Sequence, residues 1–168
     1  MGEGGIKRSA SMLLWIATVG AEFRMLDAAM KEFVVSRRNT ARFYQDALAC
    51  LRQHAASGDR IIVVSGCAQP LLGYLLASQK IEAVALGSVL TLQKSGFVCE
   101  WHCYGSNKPI TLARELNIRA IDVFYSDSDA DMPLFAMAKE NILVNASNRV
   151  ARAVERRIGR QIIRANWR

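Results

Sequence analysis

The chain has 168 residues, enough for one ordinary domain with a real core, and 51% of them are hydrophobic, which excludes wholesale disorder. Its formal net charge is +7, but Arg149, Arg152, Arg156, Arg157, Arg160, Arg164 and Arg168 against Glu155 contribute +6 of it, so the basic character belongs to the carboxyl-terminal segment. The four cysteines, Cys50, Cys67, Cys99 and Cys103, sit among apolar or strand-like residues without a secretory pattern ahead of them, so reduced core thiols in a cytoplasmic protein are expected. Cys99-Glu-Trp-His102-Cys103 superficially resembles a zinc cluster, yet no second ligand pair at zinc-finger spacing follows it.

In chain order, "SMLLWIATVG" is apolar from Met12 to Val19 apart from Thr18. It is too short to cross a bilayer as a helix and suits a buried or membrane-facing segment. From Ala21 to Val35, Phe23, Leu26, Met30 and Phe33 recur at helical spacing, and from Thr40 to Ala56, Phe43, Ala47, Leu48 and Leu51 do the same, so two amphipathic helices are predicted. After Gly58, "RIIVVSG" reads as a buried strand ending at Ser65-Gly66, and "AQPLLGYLLASQ" as a helix. "IEAVALGSVLTLQKSGFVCEWHCYG" reads as a strand and hairpin turning at Lys94-Ser95-Gly96. "SNKPITLARELN" begins with a good N-cap and makes a helix, "AIDVFYS" a strand, "DADMPLFAMAKE" a helix and "NILVNAS" a strand. In "NRVARAVERRIGRQIIRANWR", Val150, Val154, Ile158 and Ile162 fall four residues apart, with a break at Gly159. The expected division is a helical segment over 1–57, an α/β core over 58–157 and a basic tail over 158–168. Alternating strands and helices imply a parallel sheet whose carboxyl edge is the working edge.

Three stretches fall on that edge. Ser65 follows "IIVV", Lys108 lies in "CYGSNKP" near a helix start, and Asp127, Asp129 and Asp131 follow "VFYS". One aspartate would serve as a turn former or cap; three within five residues repel one another unless water, a cation or a cationic side chain neutralises them. A hydroxyl and an ammonium suited to phosphate oxygens, beside carboxylates suited to Mg2+, make a phosphate and metal constellation. The plainer reading keeps Ser65 as a strand-ending cap and Lys108 as a solvated helix-start lysine.

These residues resemble the haloacid dehalogenase-like phosphatases, in the subgroup with a helical cap after the first motif. "VVSG" is similar to that family's second motif, Lys108 in "CYGSNK" to its third, and "YSDSDADMPLF" to its fourth, with Ser126 in place of the usual Gly and "NILVN" as the strand that follows. More narrowly, "SMLLWIATVG" with "VVSGCAQPLL" and "YSDSDADMPLF" resembles the phosphatidylglycerophosphatase C type of lipid phosphatase. The resemblance implies a Rossmann-like core, and a two-step phosphoryl transfer in which an aspartate attacks phosphorus and Mg2+ bridges nucleophile and phosphate. It implies that Ser65, with Gly66 beside it, binds the phosphoryl group, that Lys108 steadies the charge and that Asp127 binds Mg2+. It makes Asp131 a metal-shell or lysine-orienting group, and leaves Asp129 as a helix cap.

The family's attacking pair sits in Asp-x-Asp after a strand near the amino terminus, and no Asp-x-Asp precedes Ser65 here. Asp27 and Asp46 fall within predicted helices, and Asp59 precedes a strand. The resemblance places that first strand centrally, so the expected sheet lacks a core strand as well as a nucleophile. The expectation is a truncated gene, a misplaced start or a fragment, with a degenerate pseudoenzyme as the alternative. Two functions follow: a Mg2+-dependent phosphomonoester hydrolase acting on a lipid phosphate, or on a soluble one such as phosphoserine, and a non-catalytic remnant that binds phosphate or an anionic membrane. The arginine-rich end suits either a packed, solvated helix or an anionic bilayer at the inner membrane face; without a recognised motif or aromatic platform, nucleic acid is the least favoured partner.

Overall fold

The computed structural model of the protein describes residues 3–36 and 43–168; the first positions of the helix expected from Thr40, residues 40–42, lie outside them. The chain divides into two compact units, one of residues 1–43 and 51–103, the other of residues 44–50 and 104–168.

The first unit opens with α1 (Glu3–Thr18) and α2 (Phe23–Val35). α3 (Gln45–Ala56) begins in the second unit's segment and ends in this one. Then come β1 (Ile62–Ala68), α4 (Gln69–Ser78), β2 (Val84–Gln93) and β3 (Gly96–Trp101). β1 runs parallel to β2, and β2 antiparallel to β3, in the order β1-β2-β3. The apolar runs Ile62-Val63-Val64 and Val84-Ala85-Leu86 pair residue for residue. The hairpin turns at Lys94 and Ser95, whose φ angles of 47° and 69° are those of a two-residue turn matched to strand twist. The Ser95 carbonyl accepts from the Gly20 N–H at 2.6 Å, tying that turn to the end of α1. Met30 and Val34 of α2, Leu72 and Leu76 of α4, Leu86 and Phe97 are buried in this unit.

The second unit carries α5 (Asn107–Leu116), β4 (Ile121–Ser126), a 3-10 turn (Asp129–Asp131), α6 (Met132–Met137), β5 (Ala138–Val144), α7 (Asn148–Ile158) and β6 (Ile163–Ala165). All three strands are parallel, in the order β4-β5-β6. Phe135, Leu143, Ala151, Val154 and Ile162 form the core, and Phe124 meets Phe135 edge to face with centroids 4.9 Å apart. The expected parallel α/β architecture is present.

Two boundaries differ from the sequence reading. The helix expected through Glu140 stops at Met137, because Ala138 already pairs with Ile121 at the start of β4 and Asn141 Nδ2 donates to the Phe135 carbonyl at the helix end. At the arginine-rich end α7 stops at Gly159, whose φ is +69°, as expected, but residues 163–165 are not a tail: they add a third strand against Ile142, Leu143 and Val144. In their sheets β1 and β4 are both edge strands, although their runs of apolar residues read as interior ones.

Candidate active site

Lys108 is the second residue of α5, and its buried companions on that helix are Thr111 and Leu112, three and four residues on. The spacing puts all three on one helix face, so the lysine stem is carried inward with them. Its ammonium meets Asp131 Oδ1 at 2.5 Å, with both side chains only 11% exposed.

Asp131 is aimed there by a short ladder of hydroxyls. Ser126, the last residue of β4, donates from Oγ to Asp131 Oδ2 at 2.8 Å and accepts from the Ser128 N–H at 3.2 Å. Ser128 Oγ accepts from the Ala130 N–H at 3.1 Å. The cap of the 3-10 turn is therefore Ser128, not the expected Asp129, because the hydroxyl one residue earlier is the group within reach of the Ala130 amide. Asp127 and Asp129 are exposed. Mutual repulsion of the three carboxylates is thus relieved in two ways, by Lys108 for Asp131 and by solvent for the others.

Both oxygens of Asp131 are engaged, and among the described residues no group of three His, Cys, Asp or Glu side chains is placed to hold a metal. The residues present do not form a closed Mg2+ site.

Ser65 and Gly66 belong to the first unit. The pairing of β1 with β2 slips between Val64 and Ala68, so Ser65, Gly66 and Cys67 bulge out opposite Gly87. Ser65 Oγ accepts from the Cys67 N–H at 3.1 Å, which leaves its own hydrogen to donate elsewhere. Sequence reasoning overlooked the residues that hold this bulge. Buried Ser88 donates to the Gly66 carbonyl at 2.7 Å and accepts from the Cys103 N–H at 3.1 Å. Gly87 donates its N–H to Gln69 Oε1, and a Cβ on it would lie 2.6 Å from both the Cys67 carbonyl oxygen and the Gln69 Cα. The available signal was a glycine inside a strand pattern, a mark of a bulge or a close backbone approach. Burial pushes the Cys67 thiol up, against a smaller opposing effect of the Ala68 backbone, away from the reactive thiolate form.

The remaining acids considered above are tied up. Asp27 bonds Lys31 at 2.7 Å and the Tyr74 hydroxyl, Asp46 accepts from the Arg168 N–H at 2.7 Å, and Asp59 meets His54 Nδ1 at 2.7 Å.

A family model for haloacid dehalogenase-like hydrolases matches residues 3–136. A search of curated proteins returns no match. Among solved structures, the chain is similar to a protein of unknown function from Bordetella pertussis Tohama I, with a TM-score of 0.73 at 20% identity over 94% of this chain and 73% of that one. It is also similar to a HAD family hydrolase from Salmonella enterica subsp. enterica serovar Typhi, with a TM-score of 0.52 at 20% identity over 71% of this chain and 42% of that one. At that identity these two likenesses speak to the fold alone. The family match spans well over half of the sequence, and the chain belongs to the haloacid dehalogenase-like hydrolases.

Proposed function

We propose that this chain supplies the phosphate-holding part of a phosphomonoester hydrolase, with a lipid phosphate of the phosphatidylglycerophosphate kind as its substrate. The observation that carries the reading is the Lys108–Asp131 pair at 2.5 Å. An ammonium has three hydrogens, Asp131 takes one, and two remain for phosphate oxygens in a nearly dry setting where charge-assisted bonds are strong. Ser65, in the other unit, accepts the Cys67 N–H on one lone pair and keeps its hydrogen to donate, the role the family resemblance assigns to it toward a phosphoryl oxygen. Gly66 leaves room for a phosphate to approach the backbone. By the family resemblance, exposed Asp127 would be the carboxylate open to Mg2+, which would neutralise phosphate charge there, and Asp131 would position the lysine.

Covalent phosphoryl transfer also needs a carboxylate nucleophile, and Asp27, Asp46 and Asp59 are committed to other partners. The reading therefore requires an Asp-x-Asp strand joined to this chain. The test is phosphate release from a generic phosphomonoester, with and without Mg2+, by this chain and by a version preceded by an apolar strand ending in Asp-x-Asp. Turnover confined to the extended form and abolished by Asp127→Asn is expected; turnover by neither form, or an Asp127→Asn variant with full Mg2+-dependent rate, refutes it. A second reading, a phosphate-binding protein without turnover, is favoured by the engagement of both Asp131 oxygens. Mg2+-independent phosphate binding by an inactive extended form would select it.

A further inference from the structure

We propose that the outer face of α7 binds the phosphate backbone of a single-stranded nucleic acid. The helix has two faces of opposite character. Val150, Ala151, Val154 and Ile158 pack on the core with Phe135 and Leu143. Opposite them, Arg149, Arg152 and Arg156 recur at spacings of three and four, which sets them in one row along the helix, with Arg157 on its flank. All four are exposed, and none takes part in an ion pair among the described residues. Charge in the second unit is polarised: residues 148–168 hold seven of its eleven Lys and Arg but one of its eight Asp and Glu. Arginines in the last turn, Arg156 and Arg157, complement the helix dipole, but Arg149 stands in the first turn, where no acid offsets it and the dipole opposes a cation. Helix stability therefore does not account for the row.

The form of the row decides between polyanions. An anionic bilayer, one expectation for this segment, is the poorer occupant. A surface helix enters a bilayer by its apolar face, and Val150, Val154 and Ile158 are committed to the core, so α7 meets lipid by charge alone. A nucleic acid strand needs no apolar insertion, because its affinity comes from phosphates paired with cations, and a guanidinium holds two phosphate oxygens at once. All seven cations of residues 148–168 are arginine. Arg149 and Arg156 stand about 10 Å apart along the axis, a narrow straight row that suits a linear chain of phosphates.

The proposal stands apart from the phosphatase reading, since binding is measured without turnover. The experiment is fluorescence anisotropy of a labelled oligothymidylate of about 20 nucleotides. The unaltered chain is compared with Arg149→Gln/Arg152→Gln/Arg156→Gln and with Arg52→Gln/Arg60→Gln/Arg119→Gln, which removes the same charge from exposed positions elsewhere. For the unaltered chain a Kd of roughly 1–100 μM near physiological salt is expected, with log affinity falling against log salt at a slope of about −2. The α7 variant should bind at least about tenfold more weakly at unchanged melting temperature, and the control variant less than about threefold more weakly. Arg152→Gln alone should make the salt slope shallower by about 1, a readout that holds even where the triple variant melts early. Absence of binding, equal losses in the two triple variants, a salt slope indifferent to Arg152→Gln, equal displacement by polyglutamate, or a row that matters for flotation with phosphatidylglycerol vesicles and not for the oligonucleotide overturns it.

Discussion

Removing either member of the Lys108–Asp131 pair should cost far more than removing both. The two side chains are 11% exposed and 2.5 Å apart, and the second Asp131 oxygen is held by Ser126, so neither charge has water to fall back on. Breaking a pair in that setting leaves an uncompensated buried charge, at a cost of about 3–5 kcal/mol. Set against a total stability of about 5–15 kcal/mol for a domain, Lys108→Met and Asp131→Asn should each remove about a fifth of it or more. In the double variant no charge is stranded, and the Asn can still accept from Ser126. The coupling in a double-mutant cycle should therefore reach about 2 kcal/mol or more. Urea unfolding followed by circular dichroism measures this, with an unchanged denaturant slope showing that the same surface is exposed in every variant. Because the pair is sheltered, the coupling should also persist in high salt. Single variants that each lose under about 1 kcal/mol and add without coupling would mean a solvated pair, and the positioning role given to Asp131 would fall with it.

Gly87→Ala should destabilise the first unit by about 1–3 kcal/mol, because its Cβ would meet the backbone at Cys67 and Gln69 rather than a side chain that could yield; a change under about 0.5 kcal/mol in thermal melting refutes the close approach. Replacing Lys94-Ser95 with Asn-Gly should raise the melting temperature by about 2–4 °C, since both positions hold positive φ angles that Asn and Gly adopt more readily, and a lower melting temperature would contradict the turn geometry. Hydrogen bonds from Lys31 and then Tyr74 hold the Asp27 carboxyl below its ordinary 3.8, so its stabilising effect is present above that value and lost as pH falls through the lowered one. The Asp27 hydrogen bond raises Lys31 above 10.5, an effect present below that value and lost as pH rises through the raised one, and the same carboxylate chiefly raises Tyr74 above 10.0. The α2–α4 contact should be strongest between these limits; Asp27→Asn should flatten the acid side of a melting-temperature profile against pH, and an unchanged profile would rule the link out.

Much of the architecture is written in local patterns. Ile62-Val63-Val64, the hairpin around Lys94-Ser95 and the helix carrying Lys108 all show periodicity and turn chemistry that needs no tertiary context. The end of α6 was illegible because nothing in "FAMAKE" disfavours helix; the register of Ala138 against Ile121 decides it, and register is a property of the sheet. In the site, Lys108 and Asp131 stood out by charge and position, and the structure pairs them. Ser126 was legible only as a departure from the usual Gly, and its hydroxyl is the group that aims Asp131. Ser88 carries no local signal, since a serine in a strand has many uses and its bond to Gly66 spans 22 residues of sequence.

The carboxyl-terminal arginines show why a charge count is a poor measure of free positive surface. Arg160 bonds the Ala138 carbonyl, and Arg164 bonds Asn148 Oδ1 at 2.8 Å and the Ala146 carbonyl at 3.2 Å, so both guanidinium groups are engaged within the second unit, the latter as a double donor. Around them Asn145 clasps Trp167 by both its side-chain oxygen and nitrogen, and the indole stacks on Tyr125 at 5.7 Å, one residue before Ser126. Buried Val154 and Ile162 belong to the same core as Phe135. A cut after Val150 would strip β5 of its outer partner, remove those two side chains and unstack Tyr125, so any loss of membrane binding it caused would report unfolding near the site rather than lost charge.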